Sequence, residues 1–517
     1  MNKTVDPLTP LTPQEKKKIK ELSTLPRDEI LKELKDNLQT AVWIELATIP
    51  IYLYTYYSIQ RAEKSGEDIR PADLFANKAG GVIMSVAVEE MLHMSLGCNI
   101  LYSLGVDPKL YQHSPGPYPT PLPYHNPIGP PGPHGDRKVL IPLSKFTYDQ
   151  LWHFLQIEYP EAPKAWPKDR NWNSIGQFYS YIRCLICCPQ IKDEDFQVRG
   201  PNSSKYQIQP FNYSPNNIDT AHPKAKFDPW GIPPAQGAGS IGKTGGYPTA
   251  AEATKFSNAA DSYVGPTPLA TISCKLEALQ AIDTICDQGE GFRDPKTHQE
   301  ERTDDPSHHE DSHYYKFLKL QAQLEQYPHH VEKLAPSPKP PDPIKPTITA
   351  AELAEVIVNF PDNPVTRPVG STFEQLGDAH ISDLYVYPER FRALSDLCNG
   401  VYQYMLIMTE TIFKVASRGP EGGGQKLFFN VGLHRSMIWI LDKLVQAMRG
   451  FDICDGQTPG ANFSLAPTFE NIDLGDRKEA YGNLIKLADA ITDPDQLSAV
   501  GYYIGTIKTL PDVAPYW

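Results

Sequence analysis

The sequence predicts an all-α protein whose helices are joined by long irregular segments. Apolar residues recur at helical spacing over long stretches, and one such stripe consists of Leu31, Leu34, Leu38, Ala41 and Val42. No stretch shows the sustained alternation of polar and apolar residues that marks a β-strand. Between the helical stretches the chain is rich in proline and glycine, as in 114–117 and 129–133, which favours irregular connections.

Length and composition are those of a globular protein with a large core. Hydrophobic residues make up 40% of the 517 residues, and 49 Lys and Arg stand against 62 Asp and Glu, a net charge of −13. Beyond Lys16, Lys17 and Lys18 there is no basic cluster, so nucleic acid is not an expected partner. The start of the chain lacks the apolar region of a signal peptide, and the apolar run 81–88 is too short for a membrane span. We therefore expect a cytoplasmic protein.

Eight cysteines in a chain of this length do not make a disulfide framework. Most lie in apolar helical stretches, where buried free thiols are expected. The cluster Cys184, Cys187 and Cys188 is a candidate metal or redox site, but no second Cys-x-x-Cys completes a set of four thiolate ligands.

Residues 1–330 are predicted to form a first helical domain with two long loops, at 106–146 and 189–265. Its predicted helices cover approximately 23–60, 76–104, 147–157, 174–187, 268–289 and 307–326. Pro50 is expected to kink the first of them, because proline removes a hydrogen bond and crowds the preceding turn. Loops as long as these two usually cover a site or are disordered.

A Pro-rich linker, 331–347, separates this domain from the rest of the chain. Its segment 335–341 is typical of a stiff polyproline helix. Beyond the linker, Thr349 and Glu352 form the capping-box pattern that starts a helix, and two long amphipathic helices are predicted over 387–417 and 425–449. Residues 348–517 are therefore expected to form a C-terminal helical module packed on the first domain.

A Glu-x-x-His spacing occurs twice, each time within a predicted helix. Glu90 and His93 form the first copy, and Glu310 and His313 form the second. Because residues three apart lie on the same face of a helix, each copy can offer a carboxylate and an imidazole to one metal ion. Two copies therefore predict two metal ions.

Glu45 extends this candidate site to another helix. It lies four residues after Ala41 and seven after Leu38, on the apolar stripe where a core side chain is expected. A carboxylate that faces the core is costly unless it is paired, protonated or bound to a cation. The bundle pattern for two iron or manganese ions takes one Glu from each of two helices and Glu-x-x-His from each of two others. Five of those six ligands are present in the expected order: Glu45, Glu90, His93, Glu310 and His313.

The sixth ligand is left open by the sequence. Glu290 is favoured, because it ends one predicted helix just before the loop that leads to Glu310 and would lie at the same depth. A structural role at the end of its helix competes with metal binding for Glu290. The alternatives are Glu158, Glu277 and Asp287. Carboxylate and imidazole donors favour Fe or Mn over structural zinc.

A purely structural interpretation competes with the metal site. Glu90 and His93 can form a satisfied pair in the core, while Glu310 and His313 can lie at an exposed helix start. Glu89, about 100° around the helix from Glu90, fits a surface residue, a residue that supports a ligand, or an alternative ligand.

The residues around these positions resemble the VioB-type ferritin-like domain family. The segments that carry the resemblance span approximately residues 30–330 and read ELATIP (45–50), VEEMLHM (88–94), FLQIE (154–158), SIGQFY (174–179), QGEG (288–291) and SHYYKF (312–317). Residues 348–517 are similar to the C-terminal helical extension of larger members, in particular at 399–402 and 467–470. The resemblance implies a ferritin-like four-helix-bundle core with long irregular loops, two Fe or Mn ions, and chemistry with O2.

That family includes iminophenylpyruvate dimer synthases, which couple oxidised amino acids. It also includes cyanobacterial dimetal-carboxylate halogenases of the cylindrocyclophane type, which chlorinate unactivated carbons of fatty acyl chains and to which this chain is nearer in size. The resemblance thus implies an oxidoreductase that functionalises a C–H bond in small-molecule biosynthesis, most specifically by halogenating an acyl chain. Chloride would be its co-substrate, and an acyl carrier protein is a candidate partner that delivers the substrate. Oxidative coupling or oxidation of amino-acid-derived imines is the alternative, and a metal-binding scaffold without catalysis is the second alternative.

Gln177 departs from the family pattern, in which this position is usually glutamate. If the position is at the metals, an amide leaves them less negative and leaves room for an anion such as halide; otherwise Gln177 supports a ligand or packs on its short helix. The tyrosines near Glu45 are expected mainly in the aromatic core, with lining of a substrate pocket or electron relay as other roles. They are Tyr52, Tyr54, Tyr56 and Tyr57.

Overall fold

This computed structural model describes most of the chain, and the statements below concern the residues it describes. They are 11–61, 70–115, 117–122, 140–158, 172, 174–210, 269–289, 313–324, 348–368, 384–419, 424–453 and 462–517.

The first half of the helical bundle is a hairpin of two long helices. α2 (Arg27–Ser58) and α3 (Pro71–Ser103) pack along one another. Asp28 and Glu29 place acidic side chains in the first turn of α2, where they complement the positive end of the helix dipole. The helix is continuous through Pro50, and every residue from 44 to 58 is buried. The second half of α2 is thus surrounded by protein on all faces.

α3 is long and apolar enough to cross a membrane when judged by length and composition. This corrects the expectation drawn from the run 81–88, because the apolar stretch extends beyond that run within a 33-residue helix. The most apolar window of α3, however, lies entirely inside the protein. Such complete burial among neighbouring helices is that of a core helix.

The second half of the bundle consists of two pairs of shorter helices. α4 (Tyr148–Ile157) packs against α7 (His313–Gln321), and α5 (Ile175–Cys187) packs against α6 (Lys275–Gln288). Hydroxyl groups cap the starts of α4 and α5, because Thr147 accepts from the backbone N–H of Gln150 and Ser174 from that of Gln177. A further helix, α1 (Pro13–Leu22), packs against α5 and was not predicted from the sequence.

Both pairs are antiparallel and meet at one level of the bundle. Glu158, directly after α4, has its Oε1 3.5 Å from Nδ1 of His313 at the start of α7. In the other pair, the ammonium of Lys275 at the start of α6 donates to the carbonyl of Cys188 at the end of α5 at 3.0 Å, and Gly289 at the end of α6 accepts a hydrogen bond from the backbone N–H of His313. The second half of the bundle therefore consists of two interrupted helices: α4 is followed by α5, α6 is followed by α7, and both breaks lie at this level.

The C-terminal part of the chain is also mainly helical, which confirms the all-α prediction. Its helices are α8 (Ala350–Glu355), α9 (Arg392–Ile412), α10 (Gly424–Leu427), α11 (Leu441–Met448), α12 (Ala480–Asp489) and α13 (Pro494–Ile507). The strands in the described part of the chain are two residues long: β1 (Thr120–Pro121) pairs antiparallel with β2 (Leu140–Ile141), β3 (Pro364–Val365) parallel with β4 (Tyr385–Val386), and β5 (Asp452–Ile453) antiparallel with β6 (Phe463–Ser464).

One long amphipathic helix is predicted over 425–449, but its middle, Phe428–Ile440, is a π-helix. The prediction is wrong for that part. The backbone N–H of Leu441 donates to the carbonyl of Ser436, five residues back, and the Ser436 hydroxyl donates to the carbonyl of Val431 at 2.8 Å. An apolar stripe predicts that a helix buries one face but does not distinguish the two helix types. Gly432 allows close packing here, because a Cβ at this position would lie 2.7 Å from Cβ of Met408 on α9.

The segment that follows the predicted linker runs beside the end of α2. The carbonyl of Ser58 accepts a hydrogen bond from the backbone N–H of Val358 at 2.7 Å, and Gln60 donates to the carbonyl of Val356 at 2.8 Å. The hydroxyl of Tyr54 donates to the carbonyl of Pro361. These contacts join the C-terminal residues to the first half of the bundle. The division of the chain into a first domain (1–330), a linker (331–347) and a C-terminal module (348–517) stays a prediction.

The described cysteines are free thiols. In the cluster 184–188, the thiol of Cys188 donates to the carbonyl of Cys184 at 3.3 Å, which is a contact within one helical turn. Within the described ranges, the side-chain groups arranged to hold a metal contain no cysteine. The cluster is therefore part of the packing of α5.

Candidate metal centre

Five side chains from four helices meet inside the bundle. Glu45 comes from α2, Glu90 and His93 from α3, Glu158 from the end of α4, and His313 from the start of α7. They form two groups, Glu45 with Glu90 and His93, and Glu90 with Glu158 and His313. In each group, one donor atom per residue lies within 4.8 Å of the others. Glu90 belongs to both groups and is no more than 3% exposed.

Helical spacing brings these residues inward. Glu45 continues the buried stripe of Leu38 and Ala41, as the sequence predicts, and Glu90 and His93 share one face of α3. Glu158 and His313 reach the same place because α4 ends and α7 begins at the level where the second half of the bundle is interrupted.

The first group is held by hydrogen bonds from its surroundings. Nδ1 of His93 lies 3.8 Å from Oε2 of Glu45, and its Nε2 lies 3.1 Å from the amide oxygen of Gln288. The hydroxyl of Tyr179 donates to Oε1 of Glu45. The hydroxyl of Thr48 lies 3.0 Å from Oε2 of Glu90, within donating distance.

The second group has a similar construction. Nδ1 of His313 lies 2.9 Å from Oε1 of Glu90 and 3.5 Å from Oε1 of Glu158. Nε2 of His313 lies 2.9 Å from Oε2 of Glu89. The hydroxyl of Tyr52 donates to Glu158, and the ammonium of Lys316 donates to Glu89.

The two imidazoles present the same nitrogen to the carboxylates. Gln288 faces Nε2 of His93 and Glu89 faces Nε2 of His313, each as a hydrogen-bond acceptor. An imidazole that carries one proton therefore holds it on Nε2 and directs its Nδ1 lone pair inward. Nδ1 of His313 is buried and lies between two carboxylates, 2.9 Å from Oε1 of Glu90 and 3.5 Å from Oε1 of Glu158. A lone pair aimed between two carboxylates fits a metal ligand. The residues present thus fit a metal ion.

Burial and mutual repulsion of the carboxylates govern their protonation. Burial, together with the charge of Glu45 nearby, raises the pKa of Glu90 well above its usual range. Burial also acts to raise the pKa of Glu45, but hydrogen bonds with Glu90 and His93 outweigh it and the pKa is lowered. Without a cation, therefore, Glu90 holds a proton and Glu45 does not.

Glu89 is a buried support for His313 and not a surface residue. Burial opposes its ionisation, yet the Lys316 ammonium and His313 lower the pKa of Glu89 to about 2. Of the three roles that the sequence allowed for Glu89, its burial excludes that of a surface residue.

Two of the predicted ligands, Glu290 and Glu310, lie outside the described residues, and their roles stay predictions. The chain passes beside the centre at Gly289, where an added Cβ would lie 3.9 Å from Oε2 of Glu158 and from Cε1 of His93. Glu158, which the sequence offers as another candidate for the sixth ligand, lies within the cluster.

Glu277 and Asp287 complete the set of candidates for the sixth ligand. Glu277 accepts hydrogen bonds from the backbone N–H and the hydroxyl of Ser273 at the opposite end of α6, so the prediction that it could bind the metals is wrong. The side chain of Asp287 lies outside the described part of the structure.

Gln177 and the tyrosines near Glu45 are buried. The backbone N–H of Gln177 donates to the Ser174 cap, and a role for its side chain at the metals stays a prediction. Of the tyrosines, Tyr52 contacts the centre through Glu158, whereas Tyr54 donates to the backbone of Pro361.

A surface groove of about 800 Å³ lies on the outer side of α2. Its lining includes Trp43, whose ring stacks on that of His113 with centroids 4.8 Å apart, and Trp172. Trp43 and Glu45 are two residues apart and so lie about 200° apart around the helix. The groove is therefore separated from the candidate centre by α2 itself.

A family model described as ferritin-like matches residues 38–223 and 248–322, which is just over half of the chain. The chain belongs to the ferritin-like family. The ferritin-like match includes the five clustered residues and ends at residue 322. A solved structure of a ferritin-like protein from Caulobacter vibrioides aligns with 79% of this chain and 95% of its own, at 17% identity and a TM-score of 0.36. No curated protein sequence matches the chain.

The raised pKa of Glu90 predicts how the stability of the metal-free protein depends on pH. A carboxyl whose pKa is raised on folding contributes stability below its unfolded pKa, near 4.5, and that contribution is lost as the pH rises through the folded value. Burial acts to lower the pKa of His313, but Glu158 and the other carboxylates raise it well above its usual value. The contribution of His313 to stability is therefore also lost as the pH rises.

Glu90→Gln keeps the shape of the neutral form and has no proton to lose. We expect metal-free Glu90→Gln to be more stable than the wild type at high pH and its stability to decline less steeply as the pH rises. Thermal unfolding with excess chelator at acidic and alkaline pH measures this. Parallel curves for the two proteins would contradict the assignment of the proton to Glu90.

Proposed function

We propose that this ferritin-like protein is a non-heme dimetal oxidoreductase that binds two Fe or Mn ions, activates O2 and functionalises a C–H bond of a small apolar substrate. Glu45 and His93 would hold one ion, Glu158 and His313 the other, and Glu90 would bridge them. Oxygen donors with one imidazole per ion suit Fe and Mn. Glu310 and Glu290, at the two ends of the segment between α6 and α7, are proposed as further ligands.

The observation that carries this proposal is the convergence of Nδ1 of His313 with two buried carboxylates, Glu90 at 2.9 Å and Glu158 at 3.5 Å, in a group whose donor atoms can hold one ion. Leaving acidic side chains in a core without a cation is costly, and a bound cation removes that cost. This geometry therefore favours metal binding over the structural interpretation.

The protein's own contribution to the reaction is to position ligands and to exclude water. The bound metals would supply the oxidising chemistry with O2. The tyrosines Tyr52 and Tyr179 orient Glu158 and Glu45 by hydrogen bonds. Phe154 and Phe317 pack on the ring of Tyr52 with centroids 4.7 and 5.4 Å away and keep that side of the centre apolar. Such surroundings suit an apolar substrate.

Halogenation of an unactivated carbon of a fatty acyl substrate is the most specific reaction that we propose, with chloride as co-substrate and an acyl carrier protein as a candidate carrier. It rests on the resemblance of the segments around the centre to the cylindrocyclophane-type halogenases. The amide of Gln177, in place of the usual carboxylate, would favour an anion at the metals. Oxidative coupling or oxidation of amino-acid-derived imines is the second candidate, based on the same resemblance.

The metal content of the purified protein tests the common part of these proposals. We expect two Fe or Mn ions per chain by elemental analysis, and a loss of both in Glu90→Ala, because Glu90 serves both groups. His313→Ala should lose one ion or more. His113→Ala, which alters a histidine in the surface groove, is the matched control and should retain two. A full metal complement in Glu90→Ala and His313→Ala would refute the site, and a wild type without stoichiometric metal would favour the non-catalytic scaffold.

Turnover with and without chloride separates the two reactions. With an acyl substrate, reductant and O2, the halogenase proposal predicts incorporation of chlorine into the product, detected by its isotope pattern in mass spectrometry. Bromide in place of chloride should give the brominated product. Chloride-independent consumption of an amino-acid-derived imine, without halogen in any product, would contradict halogenation and favour oxidative coupling.

A further inference from the structure

The two halves of the candidate centre offer matched donors. Each has one histidine, one carboxylate of its own and a share of Glu90. The separate carboxylates, Glu45 and Glu158, each accept a hydrogen bond from a tyrosine hydroxyl. Among the described residues, the halves differ in the groups that support these donors and in the distances between the donors.

The supports of the two imidazoles differ in charge. Nε2 of His93 faces the neutral amide oxygen of Gln288 at 3.1 Å, whereas Nε2 of His313 faces the carboxylate of Glu89 at 2.9 Å. Hydrogen bonds to a charged acceptor are roughly twice as strong as those between neutral groups. A carboxylate behind an imidazole also raises the basicity of the nitrogen that binds the metal. His313 is therefore the better ligand.

Lys316 holds this support in place. Its ammonium donates to the same Oε2 of Glu89 that faces His313, and it lies three residues after His313 on α7. The side chains of Glu89 and Lys316 are 0% and 3% exposed, so each charge offsets the burial of the other. Glu89 is thereby kept on the far side of His313, directed away from the metals.

The distances within the two halves also differ. Nδ1 of His313 lies 2.9 Å and 3.5 Å from two carboxylate oxygens, while Nδ1 of His93 lies 3.8 Å from Glu45. On the first half, the hydroxyl of Thr48 lies 2.9 Å from the backbone carbonyl of Glu45 and 3.0 Å from Oε2 of Glu90. The second half is therefore more closely arranged for binding.

We infer that the two metal subsites are unequal and fill in order, with the first divalent ion at Glu158 and His313 and the second at Glu45 and His93. This inference rests on the proposed dimetal site and adds the order in which it is loaded. Changes in the groups that support metal ligands typically alter affinity by about 10- to 100-fold, and we expect the two dissociation constants to differ by about that factor.

Titration of the metal-free full-length protein with Co²⁺, followed by calorimetry and by visible absorption, tests this order. We expect two steps of one ion each. His313→Ala should remove the tight step and His93→Ala the weak one. Gln288→Ala, which removes the neutral support of His93, is the matched control and should weaken the second step alone.

Variants of the charged support then test its cause. Glu89→Gln should weaken the tight step by about 10- to 100-fold and bring the two steps together. Because Glu89→Gln leaves the buried ammonium of Lys316 unpaired, the double variant Glu89→Gln with Lys316→Met removes both charges and should weaken the tight step similarly. Thermal unfolding in chelator verifies that each metal-free variant is folded.

The outcomes of these titrations test the order of metal loading separately from the existence of the dimetal site. Two equal steps in the wild type, or a tight step that is unchanged in both Glu89 variants, would overturn the inference and leave the dimetal proposal intact. A tight step removed by His93→Ala would reverse the order and so refute it. A wild type that binds no Co²⁺ would refute the proposed function as well.

Discussion

The structure depends on one electrostatic constraint: three carboxylates and two imidazoles are buried together in the interior of a helical bundle. Like charges at this separation in a protein core repel strongly, and removing them from water is costly. The surrounding residues answer this constraint locally. Tyr52 and Tyr179 donate to two of the carboxylates, and Gln288 and Glu89 accept from the two imidazoles. These supports leave the Nδ1 of His313 on the side that faces Glu90 and Glu158.

The architecture positions these groups through packing over the whole first domain. α2 is buried along its second half, and the segment 356–361 after the predicted linker bonds to its C-terminal end. The breaks between α4 and α5 and between α6 and α7 lie at the level of the centre. The end of α4 can therefore contribute Glu158, and the start of α7 can contribute His313. A constellation built on such rigid elements keeps its geometry without depending on a flexible loop.

Local periodicity explains which parts of this arrangement the sequence predicts. Glu45, Glu90 and His93 lie on regular stripes of long helices, so their inward direction follows from spacing alone. Glu158 lies just beyond the last turn of α4, where a stripe no longer indicates direction. The role of Glu89 depends on Lys316, 227 residues later in the chain, and the π-helix around Gly432 depends on packing against α9. These features arise from contacts between distant segments, which a pattern within one segment does not encode.

Anomalous scattering from a crystal of the metal-loaded protein is the most direct test of the dimetal centre. Data collected on both sides of the iron and manganese absorption edges locate each ion and identify it. The account predicts two peaks on either side of the Glu90 carboxylate, one beside Nδ1 of His93 and one beside Nδ1 of His313. A loaded crystal with no anomalous peak at these five residues, or with peaks at surface positions alone, would contradict it.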